Sequence, residues 1–437
     1  MADTLETVSP FRRLRLPLTC LVTAVALAGC GTTDPADEHT GQPAAQPAVQ
    51  PDSPTALSPP ATQPPSAPDC QSPLDGLNQR QRIAQLFTVG VSSMADARLA
   101  VQQYGIGGIF IGSGVVGEVA TSDGLARLQR DTPLPLLVAI DEEGGRVSRI
   151  APYAGPMPSA RVMAATMTPE QVRTTARDRG AFLAGMGVTV DFAPSLDVSD
   201  QPDAAVIGDR SFSADPARVT EYARAFAAGL RDAGITPVFK HFPGHGRSSG
   251  DSHHQAVTVP PLDQLIQHDL RPFADLAATP GAGMMLGHQQ SAGLTEPGQP
   301  ASLSPAAYQL LRDGRGYGAP PFDGPIFTDD LSGMRAITDS VPLPRAVTEA
   351  LIAGADSPLW ITTAGIAEAL DAAEQALAEG RLDRNQLERS LVRMARLRGI
   401  PVCAGMPITG QIAAAGALAP AIPDLPTAGR APAPLPA

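Results

Sequence analysis

Residues 235–253 read I-T-P-V-F-K-H-F-P-G-H-G-R-S-S-G-D-S-H. The run from Ile235 to Phe239 is apolar, as in a buried strand, and the glycines and serines from Gly244 onward are typical of a loop. A lysine, an aspartate and three of the chain's seven histidines also lie in this stretch. Parallel α/β folds build their sites from titratable groups at the carboxyl ends of strands. The stretch therefore predicts a functional site on such a scaffold rather than a solvated polar loop.

Apolar runs and helical patterns alternate on both sides of this stretch. The apolar runs are nearly continuous, as expected for strands that helices cover on both faces. The predicted strands are 86–91, 105–111, 134–140, 188–193, 235–239, 283–288, 324–330 and 357–362. The predicted helices are 76–85, 94–103, 125–130, 169–186, 216–233, 262–277, 305–312, 346–353, 366–379 and 384–398. This order predicts an α/β fold, a single (β/α)8 TIM-type barrel; an open doubly wound sheet is the alternative, but would more often carry a phosphate-binding glycine loop.

The N-terminal residues have the pattern of a secretory signal. Three arginines at positions 12, 13 and 15 precede the apolar run Leu16–Ala28, which is too short to span a bilayer as a mature helix. The run ends in Leu-Ala-Gly-Cys, which resembles the bacterial lipobox, where the cysteine receives lipid. We therefore interpret residues 1–30 as a lipoprotein signal peptide with Cys30 as the lipidation site, rather than as an ordinary signal with a chance cysteine. A protein of this kind is secreted and lipid-anchored to the outer face of the cell membrane, facing the cell wall.

Composition sets the limits of the folded domain. Residues 31–70 are rich in Pro, Ala and Gln, and residues 406–437 are rich in Ala and Pro, so we expect a disordered tether and a disordered tail. The barrel then occupies residues 71–405. Cys70 and Cys403 stand at its two ends, and outside the cytoplasm such cysteines often pair. A disulfide between them is a hypothesis, with two free thiols as the alternative.

Charge and motifs exclude several classes of partner. The formal net charge of −12, without a basic stripe, argues against nucleic acid. The chain contains no Walker pattern, and we predict no cofactor. The chain also lacks the H-E-x-x-H zinc motif, so we predict no metal among its histidines and aspartates. We expect a monomer.

Polar residues follow most of the predicted strands. Asp141 ends the third predicted strand, Lys240 and His241 end the fifth, and Asp329 ends the seventh. In a barrel these ends converge at one mouth, where the loop residues Arg210, Asp251 and His253 would join them. A carboxylate that faces a protonatable group across such a mouth suits retaining glycoside hydrolysis. A histidine suits the acid/base role because its ordinary pKa is close to neutral.

The motifs resemble those of a known family. They are K-H-F-P-G-H-G followed by D-S-H, D-E-E-G-G-R-V from 141, D-F-A-P-S-L-D-V from 191, G-D-R-S-F from 208 and F-T-D-D-L from 327. Together they resemble glycoside hydrolase family 3, and within it the single-domain β-N-acetylglucosaminidases, here as an actinobacterial-style lipoprotein. The resemblance spans about residues 75–365. The combination of K-H-F-P-G-H-G with the following D-S-H is highly specific.

The resemblance implies a role for each matching residue. It implies that Asp329 is the nucleophile and that His253 is the acid/base, oriented by Asp251. It implies that four residues hold N-acetylglucosamine: Asp141, Arg210, Lys240 and His241. The implied activity is retaining exo-hydrolysis of terminal β-linked N-acetylglucosamine from peptidoglycan fragments, in wall turnover or recycling. Alternatives are a β-glucosidase, β-xylosidase or phosphorylase of the same family, and a non-catalytic lipoprotein that binds wall sugars.

Some residues depart from the family pattern or stay open. Glu142 replaces a common glutamine, and we expect it to add negative charge near the mouth. Gly333 is inserted after the nucleophile motif, which leaves the geometry of that loop open. We interpret Asp330 and His245 as structural residues. For His288, substrate contact and structural support are equally good interpretations. For Asp191 and Asp197, hydrogen bonding to backbone groups is favoured over reaching the mouth.

Overall fold

Eight parallel strands close into a barrel in the computed structural model, which describes residues 72–403. The strands are β1 Thr88–Val91, β2 Gly108–Ile111, β3 Leu137–Ile140, β4 Val190–Asp191, β5 Thr236–Phe242, β6 Gly283–Leu286, β7 Ile326–Asp330 and β8 Ser357–Trp360. Each strand pairs with the next, and Thr88 of β1 lies opposite both Gly108 of β2 and Leu359 of β8. The predicted (β/α)8 barrel is confirmed, and the open sheet is excluded because β8 pairs with β1.

Helices follow the strands. They are α1 Gln79–Ala84, α2 Met94–Tyr104, α3 Val116–Thr121, α4 Gly124–Asp131, α5 Ala151–Ala154, α6 Ala160–Thr166, α7 Pro169–Gly185, α8 Pro216–Asp232, α9 Leu262–Gln267, α10 Arg271–Leu276, α11 Pro305–Asp313, α12 Arg335–Thr338, α13 Leu343–Ala353, α14 Ile366–Ala378 and α15 Arg384–Leu397. Short 3-10 turns cover Gly208–Arg210, Ala301–Leu303 and Arg315–Tyr317. Within residues 72–403, no helix has both the length and the apolar character needed to cross a membrane.

Local sequence explains where the helices begin and end. Thr168 caps α7: its side chain accepts the backbone N–H of Gln171, whose side chain bonds back to Thr168. The predicted start of this helix at Pro169 is confirmed. The single helix predicted over 262–277 is wrong, because the chain forms α9 and α10 there. Pro272 lacks a backbone N–H, so it fits the first turn of a new helix rather than the interior of a long one.

The ends of the described domain meet. The Ser72 hydroxyl donates to the Pro401 carbonyl at 2.9 Å. Cys403 is disulfide-bonded. Cys70, the signal peptide with Cys30, the tether and the tail from residue 406 lie outside the described residues. The pairing of Cys70 with Cys403 therefore stays a prediction.

A buried ion-pair network closes the end of the barrel where the strands begin. Asp356 precedes β8 and is fully buried. It accepts the Ser390 hydroxyl at 2.7 Å, the Ile326 N–H at 2.8 Å and Arg393 Nη1 at 3.3 Å, and it pairs with Arg312. Two arginines and an N–H satisfy this carboxylate, so we interpret the network as structural. A functional site is therefore expected at the opposite end of the barrel, where the strands finish.

Candidate active site

A cavity of about 310 Å³ opens at the carboxyl ends of the strands. All seven residues predicted to carry catalysis or sugar binding line it: Asp141, Arg210, Lys240, His241, Asp251, His253 and Asp329. The other lining residues are Glu143, Arg146, Val147, Arg149, Ala204, Val206, His245, Ser252 and Met334. The barrel thus brings the predicted set to one place.

A buried charge cluster forms one wall of the cavity. Lys240 Nζ lies 2.8 Å from Asp141 Oδ1 and 2.6 Å from Glu143 Oε1. Arg210 binds both oxygens of Glu143, with Nη2 at 2.7 Å from Oε1 and Nε at 2.8 Å from Oε2. Burial would raise the pKa of Glu143, but Arg210 and Lys240 hold it well below its ordinary value. Burial likewise works against the charge on Lys240, yet Asp141 and Glu143 raise its pKa. The cluster therefore presents fixed charges to the cavity.

Sequence reasoning missed Glu143 and placed Glu142 wrongly. Glu142 is fully buried and faces away from the cavity, where it accepts the Ser148 hydroxyl at 2.6 Å and the N–H groups of Arg149 and Ile150 at 2.7 and 3.1 Å. Burial raises its pKa. Glu142 therefore contributes nothing to the lining of the cavity. Alternation along an extended segment, which sends 141 and 143 to one side and 142 to the other, could have indicated this.

Arg149 is a second residue that the sequence analysis missed. A short hairpin pairs Glu142–Gly144 with Val147–Ser148 and turns the chain back towards the mouth. Arg149 follows it, with Nη2 at 3.1 Å from Asp141 Oδ2 and Nη1 at 3.0 Å from the Ser113 hydroxyl. The pair Gly144-Gly145, which makes the turn with positive φ at both residues, was the available signal.

Asp329 lies at the end of β7, in contact with the cavity and otherwise buried. Its Oδ1 accepts the N–H of Asp330 at 2.9 Å, and its Oδ2 lies 4.0 Å from His241 Nε2. Burial would raise the pKa of Asp329, but its interactions with His241, His288 and Lys240 and the hydrogen bond from the Asp330 N–H lower it. An anionic carboxylate that lines a cavity can act as a nucleophile.

Asp330 points the other way and shapes the next turn. Its carboxylate accepts the N–H and hydroxyl of Ser332, both at 2.8 Å, and the N–H of Gly333 at 2.8 Å. The loop around Gly333, whose geometry the sequence did not settle, is thus a turn held by the Asp330 carboxylate. His288 is also engaged by the protein, with Nδ1 at 2.7 Å from the Ser302 hydroxyl and Nε2 at 2.8 Å from the Asp330 carbonyl. Both residues support the strand end rather than contact the cavity.

Asp251 and His253 form a carboxylate–imidazole pair on the loop after β5. His253 Nδ1 lies 2.7 Å from Asp251 Oδ1, which also accepts the His253 N–H at 2.9 Å. The His253 side chain is 50% exposed, so its ring can exchange a proton with solvent. The loop docks on the segment after β7, where the N–H of Ala336 donates to the Ser252 carbonyl at 3.1 Å. An ionised Asp251 makes Nδ1 the donor, which leaves Nε2 free for proton transfer.

Asp191 and Asp197 are both fully buried and neither lines the cavity. Asp191 Oδ1 accepts the Glu142 N–H at 2.9 Å, as the favoured backbone-binding role predicts. Asp197 Oδ1 accepts the His245 N–H at 2.6 Å, but its Oδ2 binds the His241 ring, which the sequence analysis did not foresee. Within residues 72–403, no group of three or more His, Cys, Asp or Glu is placed to hold a metal ion.

Comparisons with known proteins agree with this geometry. Residues 79–397 match the model of the glycosyl hydrolase family 3 N terminal domain. The chain is 53% identical over 332 residues to the beta-hexosaminidase LpqI of Mycobacterium tuberculosis, covering 74% of this chain and 83% of that protein. A family 3 glycosyl hydrolase from Mycobacterium smegmatis superposes with a TM-score of 0.73 at 52% identity, covering 75% of this chain and 98% of that one. A family 3 beta-N-acetylglucosaminidase from Paenibacillus superposes with a TM-score of 0.68 at 30% identity. The match covers 76% of this chain and 65% of that one.

Proposed function

The chain belongs to glycosyl hydrolase family 3, and from that premise we propose that it is a retaining exo-β-N-acetylglucosaminidase. The names of the relatives at 53% and 30% identity support the choice of sugar. The observation that carries the proposal is the shared cavity: Asp329 and the Asp251–His253 pair line the same space, between charged groups that suit sugar hydroxyls. Its volume is at the small end for ligand sites, which suits a single terminal sugar ring.

In the first step of the proposed mechanism, the glycosidic bond breaks. The Asp329 carboxylate attacks the anomeric carbon and forms a covalent glycosyl ester. His253 gives the proton on Nε2 to the departing oxygen, so the leaving group departs as a neutral alcohol. Asp251 orients the ring through Nδ1 and stabilises its charged form.

In the second step, water replaces the enzyme at the anomeric carbon. His253, now neutral, takes a proton from the attacking water through Nε2. The ester bond to Asp329 breaks and the carboxylate is restored, so two inversions give net retention. His253 returns to its starting protonation state, which its exposure to solvent permits.

Sugar binding falls to the charge cluster and to His241. Asp141, Arg210 and Lys240 offer charged hydrogen-bonding groups at fixed positions because each is held by a partner of opposite charge. Such groups bind hydroxyls more strongly than neutral groups do. Arg149 joins this set through Asp141.

We further propose that the substrates are N-acetylglucosamine-containing peptidoglycan fragments outside the cell. The support is the sequence of residues 1–30, with its basic start, apolar run and lipobox-like end at Cys30. A lipid anchor followed by a long polar tether would hold the barrel at the outer face of the membrane, within reach of the wall. Wall turnover or recycling is the role that follows.

The function is tested with a pair of adjacent variants. The wild-type protein should release the aryl group from an aryl β-N-acetylglucosaminide faster than from the matching glucoside, with a product of retained anomeric configuration by NMR. Asp329→Ala should lower kcat by at least about 1,000-fold, because no other group forms the ester. Asp330→Asn should keep measurable turnover, since its carboxylate faces the turn.

Three results would count against the proposal. Full activity in Asp329→Ala would end the nucleophile assignment. A faster reaction with the glucoside would move the enzyme to the β-glucosidase alternative. A sugar phosphate as the main product in phosphate buffer would make it a phosphorylase.

A further inference from the structure

Asp197 joins two parts of the site without lining the cavity. It lies beyond β4 and is fully buried. Its Oδ2 is 2.6 Å from His241 Nδ1 and 3.0 Å from the Ser195 hydroxyl. Its Oδ1 accepts the His245 N–H at 2.6 Å, and the His241 N–H lies 3.4 Å from the same oxygen. One carboxylate thus holds the imidazole at the end of β5 and the start of the loop that follows.

The charge of Asp197 decides which nitrogen of His241 carries a proton. Burial would raise the pKa of Asp197, but its interactions and hydrogen bonds with His241 and His245 lower it to about 2. The carboxylate is therefore ionised at neutral pH and can only accept hydrogen bonds. His241 Nδ1 must then be the donor.

The opposite edge of the same ring faces the reaction. His241 Nε2 lies 3.3 Å from Arg210 Nη2 and 4.0 Å from Asp329 Oδ2. Arginine only donates, so a neutral His241 must present a bare Nε2 to it. With the proton moved to Nε2, two donors would face each other beside the nucleophile.

We propose that Asp197 is a positioning residue: through His241 it fixes the tautomer and the ring orientation beside Asp329, and through His245 it fixes the root of the loop that carries Asp251 and His253. The proposal rests on the proposed function, because it takes Asp329 as the nucleophile. Asp197 itself touches neither the cavity nor the sugar site, so it acts through the two histidines.

The link to the loop continues beyond the backbone contact. His245 Nε2 lies 3.1 Å from the Ser252 hydroxyl, and Ser252 stands between Asp251 and His253. His245 is buried, and burial lowers its pKa to about 4, so the ring is neutral at neutral pH. A displacement of the His245 backbone would therefore reach the acid/base pair through this contact.

Asp197→Asn is the informative change because it keeps the shape and removes the charge. An amide has one acceptor and two donor hydrogens. If its NH₂ faces His241, the ring must accept at Nδ1 and carry its proton on Nε2. If the NH₂ faces His245, two donors meet and the hydrogen bond from the His245 backbone N–H is lost. Either arrangement should lower kcat/KM by about 100-fold, between the losses seen for outer partners of metal-bound histidines and for triad carboxylates.

The matched control is Asp356→Asn. Asp356 is also a fully buried aspartate in several hydrogen bonds, but it lies at the opposite end of the barrel. A purely structural loss should lower the melting temperature in both variants and leave kcat per folded molecule unchanged in both. The positioning role predicts lost turnover in Asp197→Asn alone, with an activated dinitrophenyl substrate as well as with a poorer aryl leaving group, because the defect lies beside the nucleophile.

The tautomer is measured directly, by ¹⁵N NMR of the imidazole rings with His241→Gln for assignment. Wild-type His241, when neutral, should be protonated on Nδ1, and Asp197→Asn should shift the proton towards Nε2 where its NH₂ faces the ring. A bare Nδ1 in the wild type overturns the proposal, as does an Asp197→Asn enzyme within about threefold of wild-type kcat/KM. The wild-type tautomer decides the matter even where the Asn variant fails to fold. It is read without turnover, so an inactive wild type would overturn the proposed function separately.

Discussion

Glu143→Gln tests whether the cavity wall depends on a buried negative charge. Glu143 is the only carboxylate among residues 72–403 that contacts Arg210, and it shares Lys240 with Asp141. The side chains of Glu143, Lys240 and Arg210 are 4%, 3% and 12% exposed, so water in the cavity can replace only part of the lost interaction. Glutamine keeps the shape but has one acceptor oxygen for donors that now fill two.

The expected cost follows from what remains. Lys240 keeps Asp141 at 2.8 Å, whereas Arg210 loses both of its bonds to a carboxylate. Removing one partner of a buried ion pair typically costs about 3–5 kcal/mol, because a charge is left buried without compensation. We therefore expect the free energy of unfolding at neutral pH to fall by about that amount, and KM for an aryl N-acetylglucosaminide to rise because Arg210 and Lys240 lose their fixed positions.

The pH dependence has a definite sign. The folded-state pKa of Glu143 lies below its unfolded value, so its contribution to stability is present above the unfolded pKa of about 4.3 and is lost as the pH falls through the folded pKa. The gap in melting temperature between wild type and Glu143→Gln should be widest near neutral pH and narrow in acid.

The neighbouring Glu142 supplies the control. Its pKa is raised by burial, so its contribution is present below the unfolded pKa and is lost as the pH rises through the folded value. The Glu142→Gln comparison should therefore change with pH in the opposite direction and leave KM unaffected, since Glu142 does not line the cavity. Melting curves by circular dichroism from about pH 2 to pH 8, with KM at neutral pH, decide the case, because the Glu143 contribution is lost only below the unfolded pKa of about 4.3. Equal pH trends for both variants, or an unchanged KM in Glu143→Gln, would refute the reasoning.

Two further predictions follow from the loop and the chain ends. His253→Ala should lower kcat/KM by about 100-fold or more for a poor aryl leaving group but far less for dinitrophenolate, which departs without a proton; an equal loss with both substrates would remove His253 from the acid role. Intact-mass analysis of the mature protein should show a lipid on Cys30 and a bond between Cys70 and Cys403, which the Ser72–Pro401 contact at the domain ends favours. A free thiol at Cys70, or a chain that begins elsewhere without lipid, would contradict that prediction.

Much of the fold could be predicted because each strand and helix of the barrel has a recognisable pattern in its own short stretch of sequence. Most strands are short runs of buried residues, and polar side chains stand at or just after their carboxyl ends, as Asp141 does after β3 and Asp329 does in β7. The predicted site residues line one cavity because parallel strands in a closed barrel finish at the same edge. Bounds were less accurate where helices break, as at Pro272, since an internal proline fits both a kink and a new first turn.

The supporting contacts could not be predicted in the same way. Asp251 and His253 are two residues apart, so their pairing follows from the local sequence. Asp197 and His241 are 44 residues apart, and Arg210 and Glu143 are 67 apart. These pairs exist only because β4 and β5 are neighbours in the barrel and because the loop after β4 folds over the end of β3. The sequence around one residue of such a pair does not indicate which distant residue it contacts.

The two aspartate–histidine pairs have nearly the same geometry, and burial separates their roles. The Nδ1–carboxylate distance is 2.6 Å for Asp197–His241 and 2.7 Å for Asp251–His253. The His241 side chain is 5% exposed and its Nε2 lies 3.3 Å from Arg210, so its ring has far less contact with solvent than the His253 ring. The His253 side chain is 50% exposed. A retaining enzyme must give a proton in one step and take one from water in the next, which requires a ring in contact with solvent. On these grounds we expect His253 to carry the acid/base role and His241 to hold the sugar and the nucleophile in place.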